Sequence, residues 1–504
     1  MAKSPSGNHG ATSSAPLYGS SLALLTDLYQ LTMAHGYWKS GTAEKEAVFH
    51  LFFRNAPFQG GFTLVAGLAA VLDHVSGFRL DDSDLAYLAG LQGNDGKPLF
   101  DREFVDHIGR MELACDIDAI PEGTAVFPQE PLLRVRGPII QCQLLETPLL
   151  NLINFQSLIA TKAARISMAA RGEPVLDFGL RRAQGIDGAL SASRAAFIGG
   201  CAATSNVLAG KLFGIPVKGT HAHSWVMSFD TELEAFKEYA AALPNNSVFL
   251  VDTYDTLEGV RNAVRVGRLL RERGHEMVGI RLDSGDLAHL SIEARKILDE
   301  GGFPNAAILA SNDLDEHIIE SLKHQGAKIA VWGVGTKLVT GHGQSALGGV
   351  YKLTAVRRPG EEWRHTLKLS EQAIKISNPG IQQVRRYRAG GRFALDMIWE
   401  EGLGIASPAV AVDVGDPLRR YSPPAGAEHE DLLVPALRGG KVVYGSPPLP
   451  EIREHAARQL AALQDGMKRF VNPHKYPVGL EKGLFDLKAD LVLKARGQCS
   501  EPQR

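Results

Sequence analysis

The chain has 504 residues, of which 44% are hydrophobic and 22% charged, and its formal net charge is −2. That length is too great for one simple core and predicts a large domain with one or two smaller ones. The balanced charge gives no bulk electrostatic case for nucleic acid, and no apolar run is long enough to cross a bilayer, so neither nucleic acid nor membrane is expected as a partner.

Residues 1–16 are rich in Ser, Gly, Ala and Pro without an apolar signal core and read as a flexible tail. A first helix is expected from Leu22 to Tyr37, where Leu24, Leu25, Leu28 and Leu31 recur at three- and four-residue steps; it carries Tyr29 and Gln30. A strand is expected from Ala47 to Arg54, then a turn at Pro57–Phe62 and a helix through Leu72. From Ile117 to Pro138, short apolar pieces broken by Pro121, Gly123, Pro128, Pro131 and Gly137 predict a small β-rich subdomain. The four cysteines, Cys115, Cys142, Cys201 and Cys499, form no Cys-x-x-Cys pair and fit a reducing cytoplasm better than a disulfide framework or a zinc site.

From Thr147 the texture changes. Pro148 to Ala169 is strongly helical, and a strand-then-helix rhythm follows. Its candidate strands are Val175 to Phe178, Ile215 to Lys218, Val248 to Asp252, Met277 to Asp283, Ala307 to Ser311 and Ala330 to Gly333. They are short and apolar on both faces, as parallel strands covered by helices are. Asp255 with Glu258, and Asp313 with Glu316, read as N-cap pairs; Gly274 and Gly326 read as helix stops. This predicts an α/β protein with a (β/α) barrel, the competing architecture being an open doubly wound sheet. After Tyr351-Lys352 the rhythm ends, residues 353–440 read as short strands and loops, and a helix from Pro450 to Leu463 follows. The expected division is 17–146 as an N-terminal α/β domain, 147–352 as the barrel with the active site, and 353–504 as a segment packing back on the N-terminal domain.

Polar chemistry gathers just after the strands, where α/β proteins do their chemistry. The expected strand Ile215–Lys218 runs into Gly219-Thr220-His221-Ala222-His223-Ser224, and other strands end in Gly179-Leu180-Arg181-Arg182, Asp252-Thr253, Arg281 to Asp286, Ser311-Asn312-Asp313 and Gly333-Val334-Gly335-Thr336. Backbone N–H groups at Gly333, Gly335 and Thr336 can approach a phosphate, the alternative being a plain tight turn. Arg281 is an anion binder, while Asp283 and Asp286 suit ribose hydroxyls or a diphosphate-bound Mg²⁺, the alternative being helix caps. Phe178 and Arg181 offer an aromatic face and a cation to a flat anionic ring; singly, each reads as a core Phe and a surface Arg. Together, phosphate, diol, metal and planar-anion sites describe transfer of a phosphoribosyl group.

The motifs Thr26-Asp27-Leu28-Tyr29-Gln30-Leu31-Thr32-Met33, Phe178-Gly179-Leu180-Arg181-Arg182-Ala183, Gly219-Thr220-x-Ala222-His223-Ser224, Arg281-Leu282-Asp283-Ser284-Gly285-Asp286 and Gly333-Val334-Gly335-Thr336 resemble those of the nicotinate phosphoribosyltransferase family, from about residue 20 to about 490. The resemblance implies an irregular α/β barrel beside an α/β domain built from both chain ends, and a homodimer whose N-terminal helix helps complete the other subunit's site. It implies nicotinate and phosphoribosyl diphosphate as substrates, ATP and Mg²⁺ as cofactors, and His223 as the histidine that ATP phosphorylates, His221 falling at a variable position. Tyr29 and Phe178 would sandwich the pyridine ring, with Arg181, Thr220 and Ser224 at the substrate, Arg281 and Asp283 at substrate and ribose, and Gly333, Gly335 and Thr336 at the 5′-phosphate. Nicotinamide phosphoribosyltransferase is the nearest rival. There an aspartate accepts the amide N–H near the position of Ser205, which here can donate to a carboxylate, whereas a buried Asp would repel it.

Overall fold

The computed structural model describes residues 22–372 and 375–497; the expected tail at 1–16 and Cys499 lie outside them. Residues 159–345 form one compact unit, and 22–158 with 346–372 and 375–497 form a second. The long helix Glu146–Ala170 contributes residues to both.

The continuous unit is built on six parallel strands: β1 (Val175–Asp177), β2 (Ala203–Thr204), β3 (Val248–Leu250), β4 (Gly279–Leu282), β5 (Ala307–Ala310) and β6 (Val331–Val334). Their order in the sheet is β2-β1-β6-β5-β4-β3. The first strand therefore lies beside the last, with Trp332 opposite Val175 and Val334 opposite Asp177. A single parallel bridge from Thr204 to Val217 adds one more segment beyond β2. The sheet is open between Val217 and β3, and its strand order is compatible with a (β/α) barrel wall. At that gap a side chain makes the link, because His221 Nε2 accepts a hydrogen bond from the Leu250 amide at 3.2 Å. Phe249, Leu250, Ile280, Leu282, Ile308, Trp332 and Val334 are all buried, which is why these strands read as unbroken apolar runs.

The structure differs from the sequence expectation at two points and adds one strand. The strand expected at Ile215–Lys218 is only the bridge at Val217, since Pro216 has no N–H for a ladder and Val217 is 45% exposed. The two-residue β2 is too short to leave a periodic signal. The cap expected at Asp313 is made by Asp315, whose Oδ1 accepts from the amides of His317 and Ile318. Asn312, at a φ of 122°, diverts the chain before that helix begins. The cap at Asp255 is as expected, with its carboxylate accepting from the Glu258 amide at 2.8 Å.

The second unit joins the two ends of the chain through backbone pairing. Its seven-stranded antiparallel sheet centres on Glu46–Phe53, which lies between Gly349–Arg357 and Leu133–Pro138, while Val434–Arg438 pairs with Asp116–Ala119. A six-stranded sheet carries the hairpin Gln382–Ala389 and Arg392–Glu400, turned by Gly390 and Gly391 at left-handed φ values of 57° and 73°. The first helix runs Leu28–Lys39 rather than from Leu22: Asp27 is extended at its N-cap, and its carboxylate accepts from the Thr147 hydroxyl. Among the described residues no helix is long and apolar enough to cross a membrane.

Candidate active site

At the carboxyl ends of the parallel strands lies a cavity of about 430 Å³ lined from β1 by Phe178, Arg181 and Arg182, from β2 by Ser205, from the Val217 segment by Thr220 and His221, from β4 by Arg281 and Asp283, from β5 by Ser311, and from β6 by Gly333, Gly335 and Thr336. Six separate loops thus converge because their parallel strands all end on the same side of the sheet.

Arg281 is the hub. Its Nε donates to the Ser311 hydroxyl at 2.7 Å, Nη1 to Thr220 Oγ1 at 3.1 Å, and Nη2 to Asp283 Oδ1 at 2.7 Å. The guanidinium carbon lies 5.6 Å from the centre of the Phe178 ring. Ser311 in turn donates to the same Asp283 oxygen. Burial alone would raise the Asp283 carboxyl, but the Ser311 hydroxyl and the Arg281 guanidinium hold it below the usual range, so it stands ionised. The loop that carries Asp283 is fixed from β3: Asp252 Oδ2 accepts from the Asp283 amide at 2.9 Å and from the Ser284 hydroxyl at 2.6 Å, while Asp252 Oδ1 is buried without a hydrogen-bond partner.

The two histidines of the loop after Val217 have different situations. His221 is 8% exposed, edge-on to Tyr239 with ring centres 4.7 Å apart. Its Nε2 accepts from Leu250, so the proton sits on Nδ1, which donates to the Ala222 carbonyl at 3.3 Å. Burial pushes its pKa down to about 4, and it is a neutral structural pin. His223 opens the short helix His223–Met227, with Nδ1 3.2 Å from the Thr253 hydroxyl and Nε2 3.7 Å from Asp283 Oδ2. Its imidazole is 39% exposed and reachable by a co-substrate.

The glycines after β6 are required by contact. A Cβ on Gly333 would stand 2.7 Å from the Phe178 ring, and one on Gly335 would stand 3.1 Å from the Phe178 carbonyl oxygen. Phe178 itself is held by its amide donating to the Val334 carbonyl at 2.8 Å. Arg181 and Arg182 are exposed at the cavity mouth. Ser224 is exposed beside His223 and does not line the cavity. Asp286 sits at the N-cap of the helix Leu287–Glu300, with Oδ1 accepting from the amides of Ala288 and His289. Tyr29 belongs to the other unit, where it is 48% exposed on the helix Leu28–Lys39. Sequence reading noted Ser311, Asp252 and Thr253 as strand-end residues but gave them no role; only the fold shows that they hold Arg281, Asp283 and His223.

The sequence matches the family models for the nicotinate phosphoribosyltransferase N-terminal domain over residues 24–154, the nicotinate phosphoribosyltransferase family over 174–375, and the C-terminal domain over 382–488. Nicotinate phosphoribosyltransferase of Bacillus subtilis is 42% identical over 490 residues, covering 95% of this chain and 97% of its own. This chain belongs to the nicotinate phosphoribosyltransferase family. The human nicotinate phosphoribosyltransferase is 37% identical over 92% of this chain and 95% of its own. The crystal structure of human nicotinic acid phosphoribosyltransferase superposes with a TM-score of 0.80 at 34% identity, covering 92% of this chain and 99% of that one. The cavity of this family member is therefore set in the family's own mixed α/β fold.

Proposed function

We propose that this protein transfers the phosphoribosyl group of phosphoribosyl diphosphate to nicotinate, giving nicotinate mononucleotide and diphosphate, with ATP hydrolysis coupled through phosphorylation of His223, as a ligase of NAD salvage. The observation that carries this reading is the Arg281–Asp283–Ser311 cluster with His223 beside it, at strand ends that also present Phe178 and the Gly333–Thr336 turn. The pyridine nitrogen attacks the anomeric carbon as diphosphate departs; that nitrogen carries no proton, so no general base is needed. Catalysis then rests on positioning and on stabilising the leaving group.

In this reading Phe178 gives one face to the ring, Arg181 and Thr220 lie at the nicotinate carboxylate, and Ser205 offers its hydroxyl near the same group. Arg281 and Asp283 orient the ribose, and Gly333, Gly335 and Thr336 hold the 5′-phosphate. Ser224 flanks His223. Tyr29 would supply the second ring face from the other copy of a homodimer. A rim of exposed apolar residues, including Ile186 at 77%, Tyr254 at 68% and Met227 at 65%, supports a second copy covering this side.

Mg²⁺, when bound, neutralises charge on the diphosphate. Among the described residues no three His, Cys, Asp or Glu side chains gather as a metal cage, while Asp252 keeps one buried oxygen without a partner beside the Asp283 loop. That fits an ion carried in by diphosphate oxygens and held to the protein by one or two carboxylates, Asp283 and Asp252, with Asp286 committed to its helix cap. The buried thiols of Cys115, Cys142 and Cys201 suit a reducing cytoplasm.

Incubation with γ-labelled ATP tests the coupling. The parent protein takes up acid-labile phosphate, and His223→Ala takes up none while keeping part of the transfer activity. Loss of transfer in step with labelling would overturn the role given to His223.

A further inference from the structure

Beneath the cavity, Asp177 at the end of β1 is 1% exposed, and the groups described as bonding its carboxylate are an amide and two hydroxyls. Its Oδ1 accepts from the Gly179 amide at 2.9 Å, and its Oδ2 accepts from the hydroxyls of Ser193 at 2.7 Å and Thr204 at 2.8 Å. Its backbone carbonyl accepts from both the amide and the hydroxyl of Ser205, at 2.8 and 3.2 Å. Gly179 begins the turn that presents Phe178, Arg181 and Arg182, and Ser205 lines the opposite part of the same wall.

Most bonds of this cluster run toward Asp177, with one side contact from the Thr204 hydroxyl to Ser193 Oγ at 3.4 Å. Asn206 Oδ1 accepts from the Ala209 amide, so its Nδ2 is the donor to Ser193 Oγ at 3.3 Å. The Asn206 amide donates to Thr204 Oγ1 at 3.0 Å. Both hydroxyls thus accept a hydrogen bond from Asn206, and each makes its shortest donation to Asp177. Three donors converge on one side chain, and a carboxylate, with acceptors and no hydrogens, satisfies all three. An amide in its place would turn one acceptor into a donor and force the hydroxyls or the Gly179 turn to reorient. This explains why a carboxylate is kept where burial disfavours it.

We propose that Asp177 is a positioning residue for the acceptor ring: through Gly179 and Ser205 it sets the two parts of the wall that grip the pyridine substrate, and the hydrogen bonds from Asn206 through Ser193 and Thr204 hold it in place. The inference rests on the reading of Phe178, Arg181 and Ser205 as the acceptor side. It predicts that disturbing the network affects the pyridine substrate more than the phosphoribosyl donor, because no residue of the Gly333–Thr336 turn is among the hydrogen-bond partners described for the Asp177 carboxylate, the turn meeting this wall through Phe178.

Asp177→Asn tests this directly, and Thr204→Val tests it with a smaller change that keeps side-chain shape while removing the hydroxyl. Steady-state kinetics are measured with each substrate varied in turn, with nicotinate and nicotinamide as acceptors. The expected result for Thr204→Val is a KM for nicotinate raised about tenfold, the effect of losing one buried hydrogen bond, with KM for phosphoribosyl diphosphate unchanged. Thr204→Ser, which returns the hydroxyl, restores the parent value. Equal changes in both KM values, no change in either, or failure of Thr204→Ser to restore binding would overturn the proposal. If the parent turns over only nicotinamide, the nicotinate reading fails on its own, and the same KM split read against nicotinamide still decides the role of Asp177.

Discussion

Ser311 is the residue whose loss tests the site's electrostatics most cleanly. Its hydroxyl accepts from Arg281 Nε at 2.7 Å and donates to Asp283 Oδ1, so Ser311→Ala takes one bond from each charged partner without changing either. A hydrogen bond to a charged group contributes about 1.5–3 kcal/mol. Arg281 keeps its bonds to Thr220 and Asp283, and Asp283 is 28% exposed at its side chain, so water recovers part of the loss. The net cost to the organised site is therefore about 1.5–3 kcal/mol rather than twice that, a roughly ten- to hundredfold fall in kcat/KM. A second effect separates this from simple damage. The Ser311 hydroxyl is one of the groups holding the Asp283 carboxyl below its usual range, so its removal moves that carboxyl upward. The acid limb of kcat/KM should shift to higher pH in the variant. The assay is nucleotide formation across pH at saturating co-substrates, with thermal melting as a control for folding. A well-folded Ser311→Ala with unchanged kcat/KM and an unmoved acid limb would refute the reasoning.

Other outcomes follow from the same structure. Asp286→Ala should cost about 1 kcal/mol of stability, the usual effect of a lost N-cap, and leave the Mg²⁺ dependence of activity unmoved; a raised Mg²⁺ requirement would make Asp286 a metal ligand instead. Arg386, fully buried with Asp396, should be intolerant: Arg386→Leu strands a buried carboxylate and costs about 3–5 kcal/mol, read as a collapse in melting temperature. Glu130, fully buried near that pair, is pushed well above the usual 4.5 by burial and by Asp396. The stabilisation from its protonated form is complete below about pH 4.5 and fades as pH rises through its folded value, so Glu130→Gln should flatten the fall of melting temperature on the alkaline side. His221 has a folded pKa near 4, below its ordinary 6.5; its contribution is full above 6.5 and lost as pH falls toward 4. An NMR titration should find this imidazole still neutral well below pH 6.5.

The sequence already carried much of this. Short apolar runs placed β1, β3, β4, β5 and β6 to within a few residues, because strands buried on both faces leave a pattern that needs no knowledge of partners. Residues at the ends of β1, β4, β5 and β6 line the cavity, joined by Ser205, Thr220 and His221 from segments without such a run. What could not be read was anything set by long-range contact. β2 is two residues long and is defined by pairing with β1 and by the bridge to Val217. Asp315 rather than Asp313 caps its helix because Asn312 turns the backbone first. Asp252, Thr253 and Ser311 lay in view at strand ends, yet their grip on Asp283, His223 and Arg281 spans about thirty residues of sequence. The buried triad of Lys162 and Arg165 on Glu316 left no local signal at all.

The central claim is the reaction itself, and the direct measurement is product formation by chromatography. The protein is incubated with phosphoribosyl diphosphate and Mg²⁺, and with nicotinate or nicotinamide, each with and without ATP. Nicotinate mononucleotide is expected preferentially from the acid, with ADP released alongside when ATP is present. Turnover of nicotinamide alone, or no nucleotide from either acceptor, would contradict it.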